Sequence, residues 1–132
     1  CFEDAVGRLA RKFIRPEAQF LVNVTNDGWF RQSPAAEQHV ANARFRCVEL
    51  RRPMARACNT GVTCLIDDRG RVTAILNDPE SGVFVKGALA STLRVPSDPP
   101  MTFYARFGDV FTFIVSACAL VLILLYRRSS SS

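Results

Sequence analysis

Histidine is nearly missing from this sequence. His39 is the only one, and no two cysteines stand at CxxC spacing. Without a Cys/His cluster, no metal site is expected. The five cysteines (Cys1, Cys47, Cys58, Cys64 and Cys118) form an odd set with no paired spacing, so no disulfide framework is indicated. Lysine is scarce too. Lys12 and Lys86 are the only two, and the formal net charge of +5 rests on arginines. These are scattered: Arg44, Arg46, Arg51, Arg52 and Arg56 mix with Glu37 and Glu49, and no nucleic-acid module shows through. A basic but mixed face near anionic lipid fits this pattern better, and no nucleic-acid partner is expected. There is no internal repeat, and position 1 is Cys rather than Met, which reads as processing or truncation.

What is present divides into two parts. The first hundred residues read as a water-facing domain. Ala5, Val6, Leu9 and Phe13 recur at helical intervals, and Pro16 closes that helix. The run 20–24 reads as a buried strand, followed by the turn-prone stretch 25–28 and by Trp29 and Phe30. Ser33 and Pro34 open a second helix, with Ser33 as the N-cap and Glu37 in the first turn. Its apolar stripe is Ala36, Val40, Ala43, Cys47 and Leu50, and Pro53 stops it. Short strands follow at 54–58, 62–66 and 72–76, the last two joined through Asp67 to Gly70 as a hairpin. Further strands are expected at 82–85 and 88–95. A sheet built from these strands alone would leave the neighbour position beside 20–24 unprotected, which hints at missing sequence.

The second part is an uncharged run from Val110 to Tyr126, broken only by Thr112 and Ser116. It is apolar on all sides and spans roughly 25 Å, so it reads as a membrane helix, extended into the interfaces by Phe107 and Tyr126. Asp109 precedes it and Arg127 and Arg128 follow, which places the C-terminus in the cytoplasm. The expected division is 1–105 for the folded part, 106–128 for the membrane helix and its flanks, and 129–132 for an unstructured tail.

Two places offer chemistry. Cys1, before Phe2, Glu3 and Asp4 and then a helix, stands where a helix N-terminus lowers a thiol pKa and a following N–H can face an oxyanion. The stretch 26–30 at a strand end is where an α/β sheet puts a binding loop, although Trp29 could equally cap the core. His39 reads as a helix-face residue with a satisfied hydrogen bond. Glu49 reads as the partner of Arg46 or Arg52 in a structural ion pair, and Cys47 and Cys118 as small buried hydrophobes.

In combination, Cys1-Phe2-Glu3 and the stretch Thr25-Asn26-Asp27-Gly28-Trp29-Phe30 resemble the nucleophile turn and the Asn-Asp-Ala/Gly-Trp-Phe loop of the nitrilase superfamily. Gln38, His39, Ala43, Arg44, Arg46, Glu49, Arg52, Pro53, Arg56, Asn59 and Gly61 resemble the helix and strand that follow, and the hairpin at 66–70 fits the same pattern. Phe103-Tyr104-Ala105-Arg106 before a final membrane helix is similar to the apolipoprotein N-acyltransferase branch.

The resemblance implies an α/β fold, part of a nitrilase-like α-β-β-α sandwich followed by one C-terminal transmembrane helix. It places that domain on the periplasmic side of a bacterial inner membrane. It implies a cofactor-free, two-step transfer from a phospholipid acyl donor, through a thioester on Cys1, to the α-amine of a diacylglyceryl cysteine on an apolipoprotein acceptor. Glu3 would support the site, the Phe2 N–H would be an oxyanion donor, and Trp29 would stand beside the acyl group. Phe2 occupies a position where the family often has Tyr. The family's glutamate base and its lysine come from before the cysteine, and Lys12 and Lys86 do not match that lysine, so these 132 residues alone are expected to be inert. An N-terminal-nucleophile amidohydrolase using Cys1, or a membrane-anchored lipoprotein lipidated there, are the alternatives.

Overall fold

A computed structural model describes residues 3–30 and 33–130. Its centre is a parallel strand–helix–strand unit. β1 (Leu21–Thr25) leads through helix α2 (Ala35–Leu50) into β2 (Met54–Cys58), which lies parallel to β1 with Leu21 beside Met54 and Thr25 beside Cys58. α1 (Gly7–Lys12) precedes this unit. β3 (Cys64–Ile66) and β4 (Val72–Ile75) add to it antiparallel, giving the order β1-β2-β3-β4.

α2 forms where the apolar spacing of the sequence puts it. Its stripe of Ala43, Cys47 and Leu50 is fully buried, with Ala43 and Cys47 against Met54, Cys64 and Ile66 of the sheet. Leu50 joins a second cluster with Ala10, Ile14 and Ala105, where α1 and α3 (Phe103–Phe107) close over the end of α2. Burying one such leucine side chain contributes about 1.5–3 kcal/mol.

Both ends of α2 differ from the sequence expectation. Pro34, not Ser33, is the N-cap and no side chain caps it; Ala36 N–H donates instead to the Ser33 carbonyl. The helix stops at Arg51, which adopts a left-handed conformation (φ 50°), two residues before Pro53. The fully buried Arg52 then covers the helix end, donating to the carbonyls of Leu50 and Arg51 and to those of Ala18 and Pro100. A cation at this end also meets the negative end of the helix dipole.

The hairpin between β3 and β4 is as expected. Asp67 Oδ1 accepts the N–H groups of Arg69 and Arg71, and Gly70 takes a positive φ of 77° that disfavours a Cβ. Three other expectations are corrected. The first helix is split into a 3-10 turn (Glu3–Ala5) and α1, separated by an extended Val6. β1 is covered on one face only: Val22 and Val24 are 66% and 73% exposed while Leu21, Asn23 and Thr25 face α2, and β1 stands at the sheet edge. No strands form at 82–85 or 88–95 among the described residues, where there is only an isolated bridge between Asp78 and Gly82. Alternation makes a strand only where a free edge accepts its hydrogen bonds, and this segment meets none.

After α3 the chain turns at Gly108 into α4 (Val110–Ser130), a single helix of 21 residues, about 31 Å long. It is long and apolar enough to cross a membrane, and none of its span packs on the rest of the chain. Cys118, read from the sequence as buried, is therefore exposed on it. The helix runs on through Ser129 and Ser130, where the sequence alone suggests an unstructured tail; Ser131 and Ser132 lie outside the described residues.

Candidate active site

Because β1 and β2 run parallel, the loops that leave their C-terminal ends emerge side by side. Asn59 N–H donates to the Thr25 carbonyl, bringing the loops 26–28 and 59–61 together. Asn26 Oδ1 accepts the Gly28 N–H at 3.0 Å and the Asn59 amide at 3.4 Å, which shapes the first loop. This edge is where α/β sheets bind ligands.

Beneath the loops lies a buried polar cluster. His39, on the sheet-facing side of α2, places Nδ1 2.7 Å from Asp27 Oδ1 and Nε2 2.8 Å from Asp4 Oδ1. Arg56, on β2, completes the ring. One terminal nitrogen donates to Asp4 Oδ2 and to Asn23 Oδ1, and the other donates to Asp27 Oδ2 at 3.1 Å. Asp4, Asp27 and Arg56 are at most 3% exposed and His39 is nearly so. Two buried carboxylates would be prohibitive alone; the guanidinium between them makes the set affordable and fills the place a cation would take.

The cluster joins segments distant in sequence. Asp4 sits in the turn just after Cys1 and Phe2, and Asp27 sits in the loop just before Trp29. Gly61 closes around the same carboxylate: at φ 114°, a Cβ there would lie 3.0 Å from Asp27 Oδ2.

The expected site residues fall as follows. Cys1 and Phe2 lie outside the described residues. Glu3 is exposed at the start of the 3-10 turn and lines a shallow depression with Asp4, Phe13 and Asn23. Trp29 is 86% exposed, so it does not cap the core, which removes one of its two readings. Asp4, His39, Arg56 and Asp27 tie the turn that holds Glu3 to the loop that precedes Trp29. The α-helix proper begins at Gly7, after the 3-10 turn, and the expectation of a lowered thiol pKa at position 1 falls outside the described residues. His39 has a satisfied hydrogen bond, as expected, and Glu49 pairs with Arg46 at 2.9 Å rather than with Arg52.

Cys47, Cys58 and Cys64 are poor nucleophiles. Burial pushes Cys47 up to about 12 and Cys64 up to about 11, and burial also raises Cys58, whose Sγ donates to the Thr60 carbonyl. A thiol held protonated does not attack carbonyls.

Sequence reasoning missed the cluster as a unit. A signal was present: His39 lies three residues after Ala36 and four before Ala43, on the stripe that faces the sheet, and Arg56 alternates with Met54 on the inward face of β2. Polar residues at core positions demand partners, and Asp4 and Asp27 are those partners.

The model of the carbon-nitrogen hydrolase family matches residues 1–90. The chain belongs to that family. Among curated proteins of this kind, it is 39% identical over 131 residues to the apolipoprotein N-acyltransferase of Geobacter metallireducens, covering 98% of this chain and 24% of that protein. It is 41% identical over 113 residues to the one from Rhodopseudomonas palustris (86% of this chain, 20% of that protein). To the one from Thermotoga maritima it is 33% identical over 127 residues (96% and 24%). The chain thus spans about a quarter or less of the length of these relatives. The match takes in α1, α2 and the four-stranded mixed sheet, and the apolar C-terminal helix α4 lies beyond it.

Proposed function

We propose that this chain carries the nucleophile of a membrane-bound apolipoprotein N-acyltransferase, with residues 1–105 as part of the catalytic domain and 106–128 as its transmembrane anchor. The Cys1 thiolate attacks the carbonyl carbon of a phospholipid ester. The base that took the thiol proton returns it to the departing glycerol oxygen, which leaves as lysophospholipid, and the acyl group remains as a thioester. The α-amine of a diacylglyceryl cysteine on an apolipoprotein then attacks that carbonyl, sulfur leaves as thiolate, and the amine proton passes to a base. In this reading the Phe2 N–H faces the oxyanion, Glu3 supports the nucleophile turn and Trp29 flanks the acyl chain. The family's glutamate base and lysine have no counterpart among these residues, so the reaction belongs to the whole protein and these 132 residues alone are inert. The catalytic part stands on the periplasmic face of the inner membrane, with Arg127 and Arg128 on the cytoplasmic side.

The observation that carries this reading is the tie between Asp4 and Asp27 through His39 and Arg56, which holds the turn following Cys1 against the loop bearing Trp29. Membranes containing the whole protein are incubated with a phospholipid whose acyl chain bears an alkyne. The expected result is a protein adduct that hydroxylamine removes and that chases onto the amine of a diacylglyceryl-cysteine peptide. An adduct that persists in the Cys1→Ala protein, or no adduct in the native one, would refute the assignment.

A further inference from the structure

The outward side of α1 combines charge and apolar surface at an unusual place. Val6 and Phe13 are exposed beside Arg8 and Lys12, and a shallow depression of about 390 Å³ lies among Val6, Arg8, Leu9 and Lys12. This surface is fastened to the head of α4. Arg11 donates to the carbonyls of Ala105 (3.0 Å) and Arg106 (2.7 Å), and Arg8 lies 3.9 Å from Asp109, the residue before the apolar helix begins. Phe103 and Phe107, ring centres 4.8 Å apart, and Phe111 are exposed on the same corner.

We infer that α1 and the α3–α4 corner form a docking surface for the anionic headgroups of the bilayer that α4 enters. The level is set by the Arg8–Asp109 approach: with Val110 at the hydrocarbon boundary, Arg8 and its helix stand at headgroup depth. Charge complementarity selects the partner. Arg8, Arg11, Lys12, Arg15 and Arg106 face only Glu17 and Asp109 over residues 6–17 and 103–109. Long basic side chains reach phosphates while Val6, Leu9 and Phe13 cover acyl chains, the arrangement of an interfacial amphipathic helix. Exposed phenylalanines at the corner suit the same boundary.

The inference rests on α4 crossing a bilayer, part of the function proposed above. The test uses the whole protein in nanodiscs of phosphatidylcholine, with and without phosphatidylglycerol. A water-soluble maleimide first probes Cys118 in mid-helix; labelling would overturn both the membrane reading and this inference. With Cys118 protected, hydrogen exchange is followed at residues 7–13. The expected result is slower exchange on adding phosphatidylglycerol, by about fivefold for each basic residue engaged, reversed by salt and lost in Arg8→Glu/Lys12→Glu. The milder Arg8→Gln/Lys12→Gln protein, which keeps the exposed side chains polar, should lose the same lipid dependence without loss of fold. Exchange that is insensitive to phosphatidylglycerol, whether fast or already slow under another part of the protein, would overturn the docking surface alone.

Discussion

Asp4 and Asp27 share one imidazole: His39 stands between them, with a different ring nitrogen within 2.8 Å of each carboxylate. Arg56 closes the circuit from the opposite side, so four side chains from a turn, a loop, a helix and a strand are fixed relative to one another. Removing a member leaves the others buried and short of a partner, which sets the scale of the first expectation.

Arg56→Met retains volume but removes the charge between two buried carboxylates. Breaking a buried ion pair this way costs about 3–5 kcal/mol. Thermal unfolding of the detergent-solubilised protein should show a correspondingly large fall in midpoint. A double variant, Arg56→Met with Asp4→Asn, should recover part of the loss; a change below about 1 kcal/mol for the single variant would contradict the geometry.

Gly61→Ala adds a methyl group at φ 114°, 3.0 Å from Asp27 Oδ2. Strained backbone of this kind costs about 1–3 kcal/mol. The Asp27 carboxylate should be displaced, so the acyl transfer proposed for the whole protein should fall together with stability. An unchanged melting midpoint would mean that the loop is free to relax.

Cys47 and Cys64 are raised by burial, to about 12 and about 11, from the ordinary thiol value of 9.0. The folded state holds these protons more tightly than the unfolded state. The resulting stability is complete below pH 9 and is lost as pH climbs from 9 through about 11 to 12. The slope is about 1.4 kcal/mol per pH unit for each thiol that remains protonated only when folded. Denaturant midpoints measured between pH 8 and 11 should therefore fall, and the fall should be shallower in Cys47→Ala.

Leu120→Arg puts a charge at the middle of α4. If the helix is inserted, this costs about 2.5–3.5 kcal/mol of insertion free energy. A glycosylation acceptor placed after Arg128 and expressed in microsomes would report the shift in the fraction of molecules spanning; equal fractions for the native and variant helices would argue against insertion.

Periodic features were legible in the sequence because their cause is local. The stripe of Ala36, Val40, Ala43, Cys47 and Leu50 marked α2, and the turn Asp67 to Gly70 marked the hairpin, since each is decided by neighbours within a few residues. The uncharged run from Val110 to Tyr126 marked α4 for the same reason. The polar cluster was not legible because its members come from positions 4, 27, 39 and 56 and their meeting depends on the packing of α2 onto the sheet. The strands expected at 82–85 and 88–95 did not form for the converse reason: a strand there depends on a distant sheet edge to receive its hydrogen bonds, which neighbouring residues do not decide. At the candidate site, the loop carrying Trp29 could be found from the motif, whereas the means of holding it against the first turn could not.

Arg11 grips α3 by the backbone carbonyls of Ala105 and Arg106. Every amino acid brings a carbonyl, so substitutions at 105 and 106 leave this attachment chemically intact while one at Arg11 abolishes it. Lysine, with a single ammonium in place of a planar fork, is a poor substitute for reaching both oxygens. Tolerance to sequence drift across this joint is thus one-sided: exposed Arg106 can change its side chain, Ala105 is limited by the space it shares with Leu50 and Ala10, and Arg11 is constrained to a single residue type.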